Sequence, residues 1–100
     1  MIVLISLDQL EINTQSGDIL TITGAQLRAA RAFLRWTAQE VADASRLGVA
    51  TVRRAELQDG PLSITAANAE AIRRALEAAG LEFIPENGGG AGIRFRERKA

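Results

Sequence analysis

The chain has no cysteine and no histidine, only two prolines, and equal numbers of basic and acidic side chains, twelve of each. Without cysteine there are no disulfides and no thiolate chemistry. Without cysteine and histidine together, zinc sites of the usual kind and imidazole catalysis are excluded as well. An enzyme would have little to work with, so no catalytic activity, metal or cofactor is expected. No apolar run approaches the roughly 18 residues of a membrane span, and the apolar start MIVLISL lacks the basic leader and cleavage site of a secretory signal. The expectation is a cytoplasmic protein with no membrane partner. At 100 residues and 47% hydrophobic content, it reads as one domain with a modest core, to which dimerisation would add stability.

The zero net charge hides a segregation. Residues 1–22 carry Asp8, Glu11 and Asp18 with no base, a balance of −3. Residues 23–60 set six arginines against Glu40, Asp43, Glu56 and Asp59, which leaves +2. Residues 61–86 have two arginines against four acids, −2, and residues 87–100 have four bases against Glu97, +3. The middle stretch and the tail are the basic parts.

Within the basic middle, WTAQEVADASRLGVATVRRAELQDG (36–60) reads as two short helices joined by a tight turn. Thr37 followed by Glu40 is a capping box, with Trp36 and Val41 as its hydrophobic staple, so a helix begins at Thr37. Val41, Ala42, Ala44 and Ser45 give it a small apolar stripe. Gly48 breaks the run near Leu47, and a second helix starts at Val49. On that second helix Val52 and Ala55 share one face, while Val49, Ala50, Arg53 and Arg54 fall largely elsewhere. Its outer surface is small and cationic.

The stretch QLRAARAFLRWTAQEVADASRLGVATVRRAE resembles the helix-turn-helix family of the lambda and 434 repressor and Cro type, also called XRE, with a likeness extending from about Thr23 to Gly80. The resemblance implies a mainly α fold with a four-helix core. It also implies a second motif helix that reads the major groove and a first one docked by its start on the phosphate backbone. Carried over by position, the DNA-binding residues are Thr37, Gln39, Val49, Ala50, Thr51, Arg53 and Arg54. Arg31 and Glu56 occupy the places of the family's internal ion pair. The chain departs from the pattern at three points: Arg46 stands where a turn glycine is usual, Gly48 where Ser or Thr starts the recognition helix, and Ala38 where a glutamine contacts phosphate.

The flanking segments follow local rules. Residues 1–22 are rich in Ile, Leu, Val and Thr and read as strand, either a hairpin turning at Gln15-Ser16-Gly17-Asp18 or a single extended arm. It would cover its own subunit or pair with a second chain. Thr23 and Gln26 form a second capping box, with Ile22 and Leu27 as its staple, starting a helix from about Gly24 to Arg35 with Leu27, Ala30, Arg31 and Leu34 inward. Asp59-Gly60-Pro61 stops the recognition helix, expected over about 49–58. A last helix spans about Ala66 to Ala79, capped by Thr65 or Ser63, with Ala69, Ile72, Leu76 and Ala79 inward and Gly80 as its stop. Arg73 and Arg74 read as solvated, paired with Glu70 and Glu77 along the helix rather than touching phosphate.

Beyond Gly80, the runs 81–84 and 93–96 flank a Gly-rich loop, a β-hairpin signature over residues 81–100. The loop GGGAG lacks the lysine and following helix of a phosphate-binding loop. The tail also resembles those of small bacterial members of the family.

Together these features imply a sequence-specific regulator of transcription, a repressor that binds double-stranded DNA as a homodimer. Arg53 and Arg54 would read bases or phosphates, and Val49 and Ala50 would meet thymine methyls. The terminal β segments are expected to make the dimer, with Phe83, Ile93 and Phe95 as apolar contributors. The alternative is an antitoxin-like protein-interaction module whose β segments grip a partner, with DNA binding secondary or lost.

Overall fold

Two threonines set the first two helix starts. In the computed structural model, which describes residues 21–97, the Thr23 hydroxyl accepts from the Gln26 amide at 3.1 Å and the Gln26 side-chain carbonyl accepts from the Thr23 amide at 2.9 Å. This closed capping box satisfies amide groups that would otherwise lack partners and begins α1, Gly24–Leu34. Thr37 and Glu40 repeat the arrangement at 3.1 and 2.8 Å to begin α2, Ala38–Ser45. Gly48 begins α3, Val49–Ala55, with no side-chain cap, and the Thr65 hydroxyl accepts from the Asn68 amide to begin α4, Ala66–Ala78. Strands β1, Leu81–Ile84, and β2, Gly92–Phe95, pair as a two-stranded antiparallel hairpin. The described chain is thus four helices followed by one small sheet.

Both α1 and α2 end in the same left-handed turn. Arg35 has φ 59° and Arg46 φ 60°. The following amides reach back five residues, Trp36 N to Arg31 O at 3.0 Å and Leu47 N to Ala42 O at 2.9 Å. This is the helix ending that normally favours glycine, because a Cβ is crowded at positive φ. α1 therefore ends at Leu34, with Arg35 as its left-handed cap.

The core is built from small residues and a few large ones. Leu27 and Ala30 of α1, Val41 and Ala42 of α2, Val52 and Ala55 of α3, Ile72 and Leu76 of α4, and Leu81 of β1 are buried, with Ile22 against them. Alanine lets the short helices approach closely; each fully buried large side chain then contributes roughly 1.5–3 kcal/mol. Gly24 marks the tightest approach: a Cβ there would lie 1.8 Å from the Gln58 carbonyl oxygen and 2.9 Å from that of Ala55. Its amide donates to Gly60 O at 2.8 Å, so the start of α1 is seated on the chain that leaves α3. Thr23 and Pro61 form an isolated antiparallel bridge beside it.

The hairpin register pairs Leu81 with Phe95, Glu82 with Arg94, Phe83 with Ile93, and Ile84 with Gly92. Leu81 is buried, and Phe83, Ile93 and Phe95 pack half-buried against the core, while Glu82 and Arg94 form an exposed ion pair at 3.0 Å. The buried Gln26 side-chain amide fastens the hairpin to α1, donating to Gly92 O at 2.7 Å and Ile84 O at 3.4 Å. The rings of Phe33 and Phe95 sit 5.1 Å apart, centre to centre. β2 spans 92–95, one residue earlier than the sequence suggests, because that register puts Phe95 opposite Leu81. The N-terminal strand expected over 1–22 lies outside the described residues, except for Thr21 and Ile22.

Candidate nucleic-acid interface

The α2–α3 pair begins at Thr37, exposed with its hydroxyl in the cap. Gln39, also exposed, donates from its side chain to Asp43 at 2.9 Å. Ala38, Val41, Ala42 and Ser45 form the inner face of α2, and the Ser45 hydroxyl donates to Val41 O at 2.7 Å. Ala44, expected in that stripe, is exposed: it lies about 200° around the helix from Ala42.

Helical geometry sorts α3 cleanly. Val52 and Ala55 are fully buried. At about 100° per residue, Ala50, Arg53 and Arg54 fall on the opposite side, with Val49 and Thr51 at the margins. The exposures agree: Ala50, Arg53 and Arg54 are exposed, whereas Val49 and Thr51 are half-buried.

The far end of α3 is fixed by α1. Arg31 Nε donates to Glu56 Oε2 at 2.6 Å, and its terminal nitrogens reach Glu56 Oε1 at 3.2 Å and Trp36 O at 3.2 Å. Arg28 donates to Glu56 O at 2.9 Å and pairs with Asp59. These contacts explain why α3 stops at Ala55 rather than near residue 58. The carbonyls past Ala55 are taken by Arg28 and seated over Gly24, and Asp59-Gly60-Pro61 lies in the connection beyond.

The electrostatics of residues 23–60 are lopsided. Glu40 is held in its capping box, Asp43 accepts from Gln39, Glu56 is paired with Arg31, and Asp59 with Arg28. Arg35, Arg46, Arg53 and Arg54 are all exposed, and among the described residues none of their side chains has a hydrogen-bonding or ionic partner.

Elsewhere the arginines are bound. Arg73 is 8% exposed, clamped between Glu70 and Glu77, and the sequence-based picture of a solvated Arg73 is corrected accordingly. Its guanidinium is bonded to two carboxylates on the same helix. The hydrogen bond from Arg73 holds the Glu70 carboxyl below its usual range despite partial burial, with Arg74 adding to the effect. Arg74 is exposed and paired with Glu70 at 3.0 Å, and Arg96 donates to Leu81 O.

A groove of about 550 Å³ opens where Ile22, Pro61, Leu62 and Ile64 meet the start of α4, with Glu70 also in its lining. It is apolar and separate from the cationic face of α3. Among the described residues, no cluster of acidic side chains is placed to hold a metal, and no helix is long and apolar enough to cross a membrane.

Sequence reasoning missed two structural supports of this region, Arg28 and Gly24. Both act through backbone carbonyls near the end of α3, and their only trace in the sequence is a glycine at the first position of a helix. Comparison of the chain with protein-family models, curated proteins and solved structures gives no match.

Proposed function

We infer that the four helices form a helix-turn-helix core of the lambda repressor type, and that the chain is a sequence-specific regulator binding double-stranded DNA, acting as a repressor in a pair of chains. The observation that carries this reading is the outer face of α3. Arg53 and Arg54 stand exposed, with no side-chain partner among the described residues, on a short helix whose inner face is fully buried and whose far end is clamped by Arg31, while every acid of residues 23–60 is engaged elsewhere. A guanidinium so placed offers two parallel donors to a guanine edge or a phosphate, with roughly 1–3 kcal/mol of discrimination for a good bidentate base contact. Ala50 and Val49 beside them supply apolar contact suited to a thymine methyl. Thr37 and Gln39 lie at the start of α2, where the resemblance puts the phosphate backbone.

Selection of genomic fragments with the purified full chain tests the reading, since it reports binding and sequence preference together. An enriched motif is expected, and the Arg53→Ala/Arg54→Ala variant should bind it at least tenfold more weakly. Equal binding by parent and double variant would remove α3 as the reading helix. The antitoxin-like alternative depends on β segments free to grip a partner, whereas the apolar side of the hairpin already packs on its own core.

A further inference from the structure

We propose that Arg35 and Arg46 form a pair of phosphate clamps, one at each end of α3, which hold the helix against the two backbone walls of a DNA groove. The inference rests on the DNA-binding reading of α3 and assigns the site two residues that the resemblance does not supply.

The first observation is position. Arg46 lies three residues before Val49, so its Cα is within about 11 Å of the start of α3. Arg35 lies at the other end. The Arg31 guanidinium bonds the Glu56 carboxylate at 2.6 Å and the Trp36 carbonyl at 3.2 Å, so the residue next to Arg35 is within one guanidinium's span of the residue that follows α3. α3 has seven residues and is therefore about 10 Å long. The major groove is about 12 Å wide, with a sugar-phosphate wall on each side. A long cationic side chain near each end of a helix lying in that groove is within reach of the flanking sugar-phosphate chains, and Arg53 and Arg54 are exposed on the helix itself.

The second observation is backbone conformation. Arg35 and Arg46 are the two described non-glycine residues at positive φ, where glycine is favoured. A long, permanently charged side chain at both places calls for a role that glycine cannot fill.

The third is charge. Of the ten described arginines, Arg28, Arg31, Arg73, Arg74 and Arg94 are in ion pairs and Arg96 bonds backbone carbonyls. The four whose side chains have no partner among the described residues are the two on α3 and the two near its ends. A polyanion running past α3 matches that distribution.

A purely structural role remains as a competing explanation, because a cation at a helix C-terminus also interacts well with the helix dipole. The test separates the two. Affinity for a fluorescein-labelled mixed-sequence duplex is measured against salt concentration for the parent, Arg35→Gly/Arg46→Gly and, as a control for net charge, Arg94→Ala. Each phosphate contact contributes about −0.9 to the slope of log affinity against log salt. The double variant should therefore flatten the slope by about 1.8 while remaining folded by circular dichroism, and Arg94→Ala should not match it. Should the glycine variant fail to fold, Arg46→Gln, which removes the charge and keeps a long side chain, should flatten the slope by about half as much. An unchanged slope with a lowered melting temperature would assign both arginines to the helix dipole and overturn the proposal. So would equal flattening by Arg94→Ala. If those variants behave like the parent while Arg53→Ala/Arg54→Ala weakens binding, the clamps fall and the reading of α3 stands. If the folded parent shows no affinity for the duplex at low salt, both fall.

Discussion

At Arg46 three residue-scale effects nearly cancel. Left-handed backbone costs a non-glycine residue about 1–2 kcal/mol, glycine would lose about 0.5–1 kcal/mol more chain entropy on folding, and a cation at a helix end gains about 0.3–1 kcal/mol. Arg46→Gly should consequently shift stability by less than about 1 kcal/mol. Arg46→Val, with a β-branched side chain forced to φ 60°, should cost about 1–3 kcal/mol. Urea denaturation of the two variants checks this, and equal stabilities would mean that the turn relaxes out of the left-handed basin. Gly24 has no such latitude. Its missing Cβ faces two carbonyl oxygens of the backbone rather than movable side chains, so Gly24→Ala should lose about 3 kcal/mol by pushing α1 off the end of α3. A Gly24→Ala protein as stable as the parent would show that this approach is looser than described.

At the scale of elements, helix starts are legible in the sequence because their determinants are local. Thr23 with Gln26 and Thr37 with Glu40 lie three residues apart, and both boxes close. The end of α3 is not legible, since Arg28, Arg31 and Gly24, which set it, lie 25 or more residues earlier in the chain. The burial of Arg73 escapes for a similar reason: spacing along α4 predicts its carboxylate partners but not how deeply the helix sits. The Arg31–Glu56 pair ties α1 to the exit of α3, and Glu56 is only 12% exposed. Glu56→Ala should lower stability by about 2–3 kcal/mol, because it strands the Arg31 guanidinium in a half-buried position. α4 adds a pH dependence. The Glu70 carboxyl is held below its usual value of 4.5 by Arg73, so its contribution is fully present above that value and is lost as pH falls through the lower, folded-state pKa. Glu70→Gln should be less stable than the parent at pH 7, by on the order of 1 kcal/mol because Glu77 still holds Arg73. Thermal melts from pH 7 to 2 should show the two proteins converging as the pH falls below 4.5, and a constant gap would remove the linkage.

At the scale of the whole molecule, the hairpin shows what patterning says and what it omits. Alternation along 81–84 and 93–96 points to two strands joined by a Gly-rich loop, and the observed register puts Leu81, Phe83, Ile93 and Phe95 in facing pairs. Alternation does not say what covers that apolar side. The sequence expects Phe83, Ile93 and Phe95 to contribute to a dimer and leaves open whether the terminal strands pair within a chain or between chains. The structure turns the apolar side inward, with Phe95 against Phe33, Leu81 fully buried, and Gln26 bonded to both strands from α1. Those contacts are closed by the chain itself, so their loss is a unimolecular event. Phe95→Ala should lower stability by about 2–3 kcal/mol, somewhat less than a fully buried phenylalanine would, since the ring is only half-buried. The decisive measurement is the melting temperature of parent and variant across a hundredfold range of protein concentration. An interface residue makes the deficit concentration-dependent, because association stabilises by mass action. A residue on the chain's own core leaves the deficit constant. Constancy is expected for Phe95 and Phe83 alike, and a deficit that changes with concentration would return the hairpin to an interface between chains. If the pair of chains needed to present two α3 helices to a two-fold operator exists, constancy would move its interface off the hairpin's apolar side. Its strand edges or the helical surface would then have to hold the spacing.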